Sequence, residues 1–277
     1  SFDFDNKSII IIGPNTAGKS NLIESIYLLS AGKSFRAEKD LQMVKIGNSE
    51  EVKEFYEKMP FPNDIINIHK NTITFKELER HRWILNSIPH RKIKENSKIL
   101  DIGCGTGEMS IFLSQFGKVI GTDFSENSIK IANYVKNKMN LNNVVFFCDD
   151  ITNTKITGKF DYIFCMGVLH HIPEVERALE NIKKMMDSKS LAVLCVYNKY
   201  GRFLSDLRWR YISRINKERY EDLINHPYQI KYTQRQFTHL LKKNGFEIVN
   251  IWRNVPEVLR LVTGRGMTMT FCVRKLR

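Results

Sequence analysis

No run of eighteen consecutive apolar residues occurs in the 277-residue sequence, so it contains no segment that would cross a bilayer as a helix. The first residues, Ser1-Phe2-Asp3-Phe4-Asp5, are acidic, which excludes a secretory signal there. An initiator Met is missing, as expected of a fragment or a trimmed chain. Cysteine is sparse. The five residues (Cys104, Cys148, Cys165, Cys195 and Cys272) are odd in number and form no C-x-x-C pair, which argues against a disulfide framework and against zinc. A reducing cytoplasm is the expected compartment. Internal repeats and low-complexity tracts are absent as well. Charge of one sign is not lacking: the formal net charge is +13, which would suit nucleic acid, anionic lipid or an acidic small molecule. The densest basic cluster is Lys199, Arg202, Arg208, Arg210, Arg214, Lys217 and Arg219. No tight basic run with interleaved aromatics dominates, and a Lys-rich composition accounts for the charge equally well. Oligomeric state is not legible.

What is present, above all, is the stretch Ile99-Leu100-Asp101-Ile102-Gly103-Cys104-Gly105-Thr106-Gly107. A short apolar strand carries an acid and runs into three glycines at alternate positions. An amphipathic segment follows, with Met109, Ile111, Phe112, Leu113 and Phe116 as its apolar members. Glycines permit the sharp turn and a close ligand approach. The carboxyl ends of strands are where open α/β sheets bind ligands. Dinucleotide loops read G-x-G-x-x-G and seat a pyrophosphate on a helix N-terminus. This one reads G-x-G-x-G and is followed directly by Glu108, whose carboxylate would repel a pyrophosphate. A phosphate-free ligand is the expectation.

Three further strands end in functional-looking positions. Lys118-Val119-Ile120-Gly121-Thr122-Asp123 ends in an acid suited to both hydroxyls of a ribose, about twenty residues after the first strand. Asn143 to Ile151 ends in the pair Asp149-Asp150. Phe160 to Met166 leads into Gly167-Val168-Leu169-His170-His171-Ile172-Pro173. Four motifs in this order and spacing resemble the class I S-adenosylmethionine-dependent methyltransferases, over roughly residues 51–277.

The resemblance implies an α/β fold: a Rossmann-like, doubly wound, seven-stranded sheet whose final strand inserts antiparallel between its neighbours. It implies S-adenosyl-L-methionine as cofactor and a small-molecule methyl acceptor as partner. Asp101 and the backbone of Gly103, Cys104 and Gly105, with Gly107 closing the loop, would meet the methionine part. Asp101 could instead be a structural cap of the loop. Asp123 would bind the ribose, or else cap the helix that follows. Phe124 would flank the adenine or sit in the core. Asp150, or Asp149 one register back, would accept from the adenine amino group, with Ile151 presenting its N–H. Met166 and Gly167 would face the cofactor's amino group and the transferred methyl. His171 and His170 are the candidate general bases, since imidazole removes protons near neutral pH. The alternative is that they position the loop after the fourth strand.

The first 49 residues read differently. Ser8-Ile9-Ile10-Ile11-Ile12 is a buried-strand pattern, followed by Gly13-Pro14-Asn15-Thr16-Ala17-Gly18-Lys19-Ser20, a complete G-x-x-x-x-G-K-S, and then a helical stretch. Amides of such a loop cradle phosphates, Lys19 reaches the terminal ones and Ser20 suits Mg²⁺. Gly13, Gly18, Lys19 and Ser20 are therefore candidate phosphate ligands. Residues 21–36 extend a resemblance to the N-terminus of RecF-type DNA repair ATPases. No later acid-ended strand is free to complete an ATPase site, and about fifty residues cannot form such a core alone. The expectation is a P-loop-like β-α appendage, residues 1–49, ahead of a methyltransferase domain, residues 50–277.

Residues 50–59 read as a helix stopped by Pro60, within Phe55-Tyr56-Glu57-Lys58-Met59-Pro60-Phe61-Pro62-Asn63. This resembles a lid found before the sheet in some methyltransferases, which makes Tyr56 a candidate at the substrate. The alternative is plain packing of aromatics around two prolines. Residues 75–88 read as an amphipathic helix covering the sheet. An insertion at 198–232 would wall the acceptor site, with Tyr197, Arg202, His226 and Tyr232 as candidates. Two other readings compete: an ATP-binding RecF-like replication or repair protein, and a nucleic-acid methyltransferase. The latter has only charge behind it, and Cys165-Met166-Gly167-Val168 stands where many base-amine methyltransferases carry an N-P-P-Y/F-type tetrapeptide.

Overall fold

The near-continuous apolar runs of the central strands dictate a sheet buried on both faces. The computed structural model describes residues 49–58, 78–199, 229–254 and 268–276. The chain divides into two compact units, Ser1–Ile46 and Gly47–Arg277, and the described residues all belong to the second. In chain order they form α1 (Ser49–Lys58), a 3-10 segment (Glu79–Ser87), β1 (Ser97–Ile102), α2 (Glu108–Leu113), β2 (Gly117–Asp123), α3 (Glu126–Lys138), β3 (Val144–Cys148), β4 (Tyr162–Met166), α4 (Val175–Lys184), β5 (Leu191–Tyr197), α5 (Gln234–Lys243), β6 (Phe246–Asn254) and β7 (Thr268–Lys275). The strands join in one seven-stranded sheet of order β3-β2-β1-β4-β5-β7-β6. β1 to β5 are parallel, and β7 lies antiparallel between β5 and β6, as expected.

Successive residues of a strand face opposite sides, and each side has its own core. Leu100, Ile163, Leu194 and Phe271 point into the cluster shared with α4 and α5. Ile99, Phe164, Val193 and Cys272 point into the cluster shared with α2, α3 and the 3-10 segment. The chain order reverses between β1 and β4, so the cleft at their carboxyl ends is the topological switch point where such sheets bind ligands.

The expected helix over 75–88 differs in kind: its described part is a 3-10 segment with one α-helical residue, Leu78, before it. A three-residue repeat fits its contacts. Glu79 pairs with Arg82, and the Ser87 hydroxyl donates to the Ile84 carbonyl at 2.6 Å. Pro89 follows directly and cannot continue an α-helix. Trp83 stacks on Trp252 of β6 with centroids 5.0 Å apart, and Asn250 donates to the Asn86 and Ser87 carbonyls.

The loop after β1 is packed from behind. Gly103 has φ +69°, and a Cβ there would overlap the Val168 side chain. Gly103→Ala is therefore expected to cost about 1–3 kcal/mol through a strained backbone and overpacking. The measurement is the urea midpoint, which should fall with an unchanged m-value. An unshifted midpoint would mean that the loop does not pack on Val168.

Candidate active site

The glycine loop turns its amide donors inward. Gly103 and Cys104 N–H both donate to the Thr122 carbonyl, at 2.7 and 2.9 Å. Gly105 N–H donates to Asp123 Oδ2 at 2.9 Å, and Gly107 N–H to the Cys104 carbonyl at 3.0 Å. An anion cradle needs outward-pointing N–H groups. This loop has committed its own, so it suits a neutral or cationic group rather than a phosphate.

Glu108 does not face the cleft as a free charge. Its side chain is only 1% exposed and is held by Arg80 and by His81 Nε2, the latter at 3.0 Å. Burial alone would raise its pKa, but hydrogen bonds from His81 and Arg80 outweigh burial and hold it low. Its charge is neutralised from the 3-10 segment. The loop's commitment of its own amides, rather than repulsion by Glu108, is what disfavours a pyrophosphate.

Two acids sit beneath and beside the loop. Asp101 is buried, and the Ser110 hydroxyl donates to its Oδ2 at 2.6 Å. Here it fastens α2 to β1, the loop-supporting role. Asp123 ends β2. Its Oδ2 takes Gly105 N–H and its Oδ1 takes Ser125 N–H at 2.9 Å, so it ties the loop to the start of α3. Burial pushes its pKa up against these bonds, with the Glu57 carboxylate adding to the rise. Each carboxylate oxygen keeps lone pairs for a further donor.

On the β3 side, Asp149 accepts from Thr154 Oγ1 and from Lys155 N–H at 2.8 Å, which closes the 149–155 turn. Asp150 caps the short turn Ile151–Asn153, taking Thr152 N–H and Oγ1 on its Oδ1. Asp150 is exposed and Asp149 half-buried, and Ile151 is buried between them and the core. Phe124 is half-buried and meets Tyr56 edge-on at 6.1 Å. Met166 and Gly167 are half-buried at the end of β4. Gly167 has φ +80°, and the direction a Cβ would take is open space, leaving room for a ligand.

Opposite these lies an aromatic and imidazole cluster. The Tyr56 hydroxyl is 3.3 Å from His171 Nε2. Tyr197 lies tilted against His170, centroids 3.8 Å apart, and meets His171 edge-on at 6.0 Å. Burial, helped by Tyr197 and Asp123, pushes the Tyr56 phenol upward, so it stays protonated within hydrogen-bond reach of His171 Nε2. The two histidines separate: His170 is fully enclosed, whereas His171 faces Tyr56 and is 7% exposed. The segment before α5 returns beside them, with Ile230 N–H on the His170 carbonyl at 2.8 Å and Tyr232 N–H on the Tyr197 carbonyl at 3.0 Å. The Tyr232 ring is buried against Phe237 at 5.1 Å, and its backbone bridges to Asn198. Arg202, His226, Gly13, Gly18, Lys19 and Ser20 lie outside the described residues.

Sequence reasoning missed Glu57, whose carboxylate accepts from Glu126 N–H at 2.7 Å and Asn127 N–H at 3.1 Å. Its partners lie some seventy residues away, and only the lid resemblance hinted at the contact.

A family model described as a methyltransferase domain matches residues 77–251, and the chain belongs to that family. Over 85 residues it is 38% identical to a ubiquinone biosynthesis O-methyltransferase of Coxiella burnetii, a match covering 30% of this chain and 36% of the relative. Over 129 residues it is 31% identical to a demethylmenaquinone methyltransferase of Staphylococcus carnosus, covering 44% and 52%. The matches thus span about a third to a half of these relatives' lengths. The fold is similar to magnesium protoporphyrin IX methyltransferase of Synechocystis PCC 6803, solved with bound S-adenosylhomocysteine. That likeness has a TM-score of 0.54 at 18% identity and covers 81% of this chain and 98% of that one.

The buried acid gives a signed prediction. Burial pushes Asp101 up to about 7. Between the unfolded value near 4 and about 7 the folded state holds the extra proton, so stability falls as pH rises through that window. Asp101→Asn cannot ionise, and its stability relative to wild type should climb across the window by up to about 4 kcal/mol. Thermal melts of both proteins at pH 5 and pH 8 check this. A difference that does not change with pH would show that Asp101 is already ionised in the fold.

Proposed function

We propose that this chain transfers a methyl group from S-adenosyl-L-methionine to a small-molecule acceptor. The observation that carries the reading is the glycine loop with its amide donors committed, set beside an acid at the end of β2. Such a site favours a nucleoside with a cationic, phosphate-free tail. When bound, S-adenosylmethionine supplies a methyl group already activated by its sulfonium centre. The protein's tasks are then to align the acceptor, exclude water and, for a protonated acceptor, hold its proton.

Asp123 would take the ribose hydroxyls on its remaining lone pairs. Phe124 would flank the adenine. Asp150 is preferred over Asp149 for the adenine amino group, because it is exposed while both Asp149 oxygens serve its own turn. Ile151 would present its N–H there. The amino-acid tail would meet carbonyl oxygens of Gly103, Cys104 and Gly105, with Asp101 beneath and the open side of Gly167 beside it. Met166 and Gly167 border the reacting methyl.

Across the cleft, Tyr56, His171 and Tyr197 would face the acceptor. His171 is the candidate base and Tyr56 its orienting partner, while the enclosed His170 serves as packing beneath Tyr197. The named activities of the two curated relatives favour a quinone-type ring as the acceptor class. No described helix is long and apolar enough to cross a membrane. The nucleic-acid alternative still has only net charge behind it.

Titration calorimetry with S-adenosylhomocysteine tests the reading. Asp123→Asn removes the charge that the ribose hydroxyls would meet, together with one of the two acceptor oxygens that hold Gly105 and Ser125. It should weaken binding by about 2 kcal/mol, or about thirtyfold. Equal affinity in the two proteins would overturn the assignment of Asp123.

The G-x-x-x-x-G-K-S of residues 13–20 favours a separate reading for residues 1–49, a RecF-like phosphate-binding appendage. Mg-ATP should then bind the full chain weakly, and Lys19→Ala should abolish that binding in equilibrium dialysis. Binding that survives in Lys19→Ala, or none in wild type, would remove the motif from consideration.

A further inference from the structure

The first three backbone N–H groups of α3 are all satisfied, but only one of them from its own helix start. Ser128 N–H is taken by the Ser125 hydroxyl at 3.1 Å, the usual local cap. The N–H groups of Glu126 and Asn127 are taken, one each, by the two oxygens of Glu57 at the end of α1. Asn127 answers by donating its side-chain amide to the Glu57 carbonyl at 3.1 Å, and the Ser125 hydroxyl lies 3.5 Å from the Tyr56 carbonyl. An anion on a helix N-terminus is favoured by the exposed amides and the helix dipole. Here α1 is docked through that end, and the docking has a consequence next door.

Docking places Tyr56 against Phe124 and His171. It also puts Glu57 near enough to Asp123 to act on it electrically. Asp123 is only 8% exposed. Tyr56 and Glu57, both of α1, lie close enough to this carboxylate to act on it electrically, so α1 stands at its side of the cleft.

We propose that Glu57 is a latch. Its carboxylate on the α3 N-terminus holds α1 closed over Asp123, and its release sets the rate at which the nucleoside enters and leaves. This rests on the proposed reading of the Asp123 cleft as the nucleoside site. Glu57 is a positioning residue in this scheme: it bonds the frame of the cleft and carries Tyr56 with it. The same movement takes the Tyr56 hydroxyl off His171, so opening for the nucleoside also uncovers the imidazole that faces the acceptor.

The test uses the full chain, S-adenosylhomocysteine as probe and two variants, Glu57→Ala and Glu57→Gln. Stopped-flow displacement should show dissociation accelerated about tenfold or more in Glu57→Ala and less in Glu57→Gln, which keeps one acceptor oxygen. Association should also accelerate, so that affinity changes less than either rate. A second readout needs no ligand. Trypsin cleavage after Lys53 and Lys58 should be faster in Glu57→Ala than in wild type, while thermal melts show the sheet intact. Dissociation and cleavage rates both unchanged in a folded Glu57→Ala would overturn the latch. Absence of S-adenosylhomocysteine binding by the wild-type chain would instead overturn the reading of the site, and the gating role with it.

Discussion

The carboxylate of Asp123 is the knot on which the functional end of the sheet depends. One oxygen holds Gly105 of the loop after β1, and the other holds Ser125 at the start of α3. Two segments that β2 separates are thereby fixed to its last residue. A buried carboxylate is costly unless hydrogen-bonded, and two amide donors offset much of that cost. The loop then needs no ligand to hold its shape. The N–H groups of Gly103, Cys104 and Gly107 fold back onto the Thr122 and Cys104 carbonyls. The electrostatic character of the site follows: acidic side chains and carbonyls rather than amides, suited to hydroxyls and a cationic tail.

The parts of this arrangement legible in the sequence are those carried by local pattern. Short apolar runs marked Ile99, Phe164, Val193 and their neighbours as strands, and strand-end acids marked Asp101, Asp123 and Asp149-Asp150. The loop glycines were legible because few other residues tolerate the backbone of Gly103 or Gly167. Contacts between distant segments were not legible. Glu108 was read as facing the ligand because nothing nearby in sequence neutralises it; Arg80 and His81 do so from 28 and 27 residues upstream. The packing of Tyr232 on Phe237, and its bridge to Asn198, were equally beyond local pattern. The 3-10 winding of Glu79–Ser87 also depends on partners, since Trp252 and Asn250 of β6 fix it from the far edge of the sheet.

The histidine pair shows how packing divides two residues that sequence leaves equivalent. His170 and His171 are adjacent, with rings 4.2 Å apart. His170 lies under Tyr197 with no exposure, and its carbonyl anchors Ile230. It holds together the end of β5, the loop after β4 and the chain returning before α5. His171 is oriented by that stack and presents Nε2 toward Tyr56. An imidazole held between a stack on one side and a phenol on the other keeps a single direction, which is what proton transfer in a cleft requires.

Magnitudes decide whether α1 behaves as a fixed wall or a moving one. Its hold consists of a carboxylate on two amides, one amide-to-carbonyl bond, the buried Val52 and the edge contacts of Tyr56. Charge-assisted bonds at a helix start contribute about 1–3 kcal/mol, and the released amides and carboxylate are solvated on opening. Adding Val52, at about 1.5 kcal/mol, gives a hold of roughly 2.5–4.5 kcal/mol. That corresponds to an open fraction between about one in seventy and one in two thousand. Closure of this strength excludes water from the cleft for most of the time, yet opening remains fast compared with typical turnover, because lid motions fall in the microsecond-to-millisecond range. The core clusters on either face of the sheet are tied by many more buried side chains and do not open on that scale.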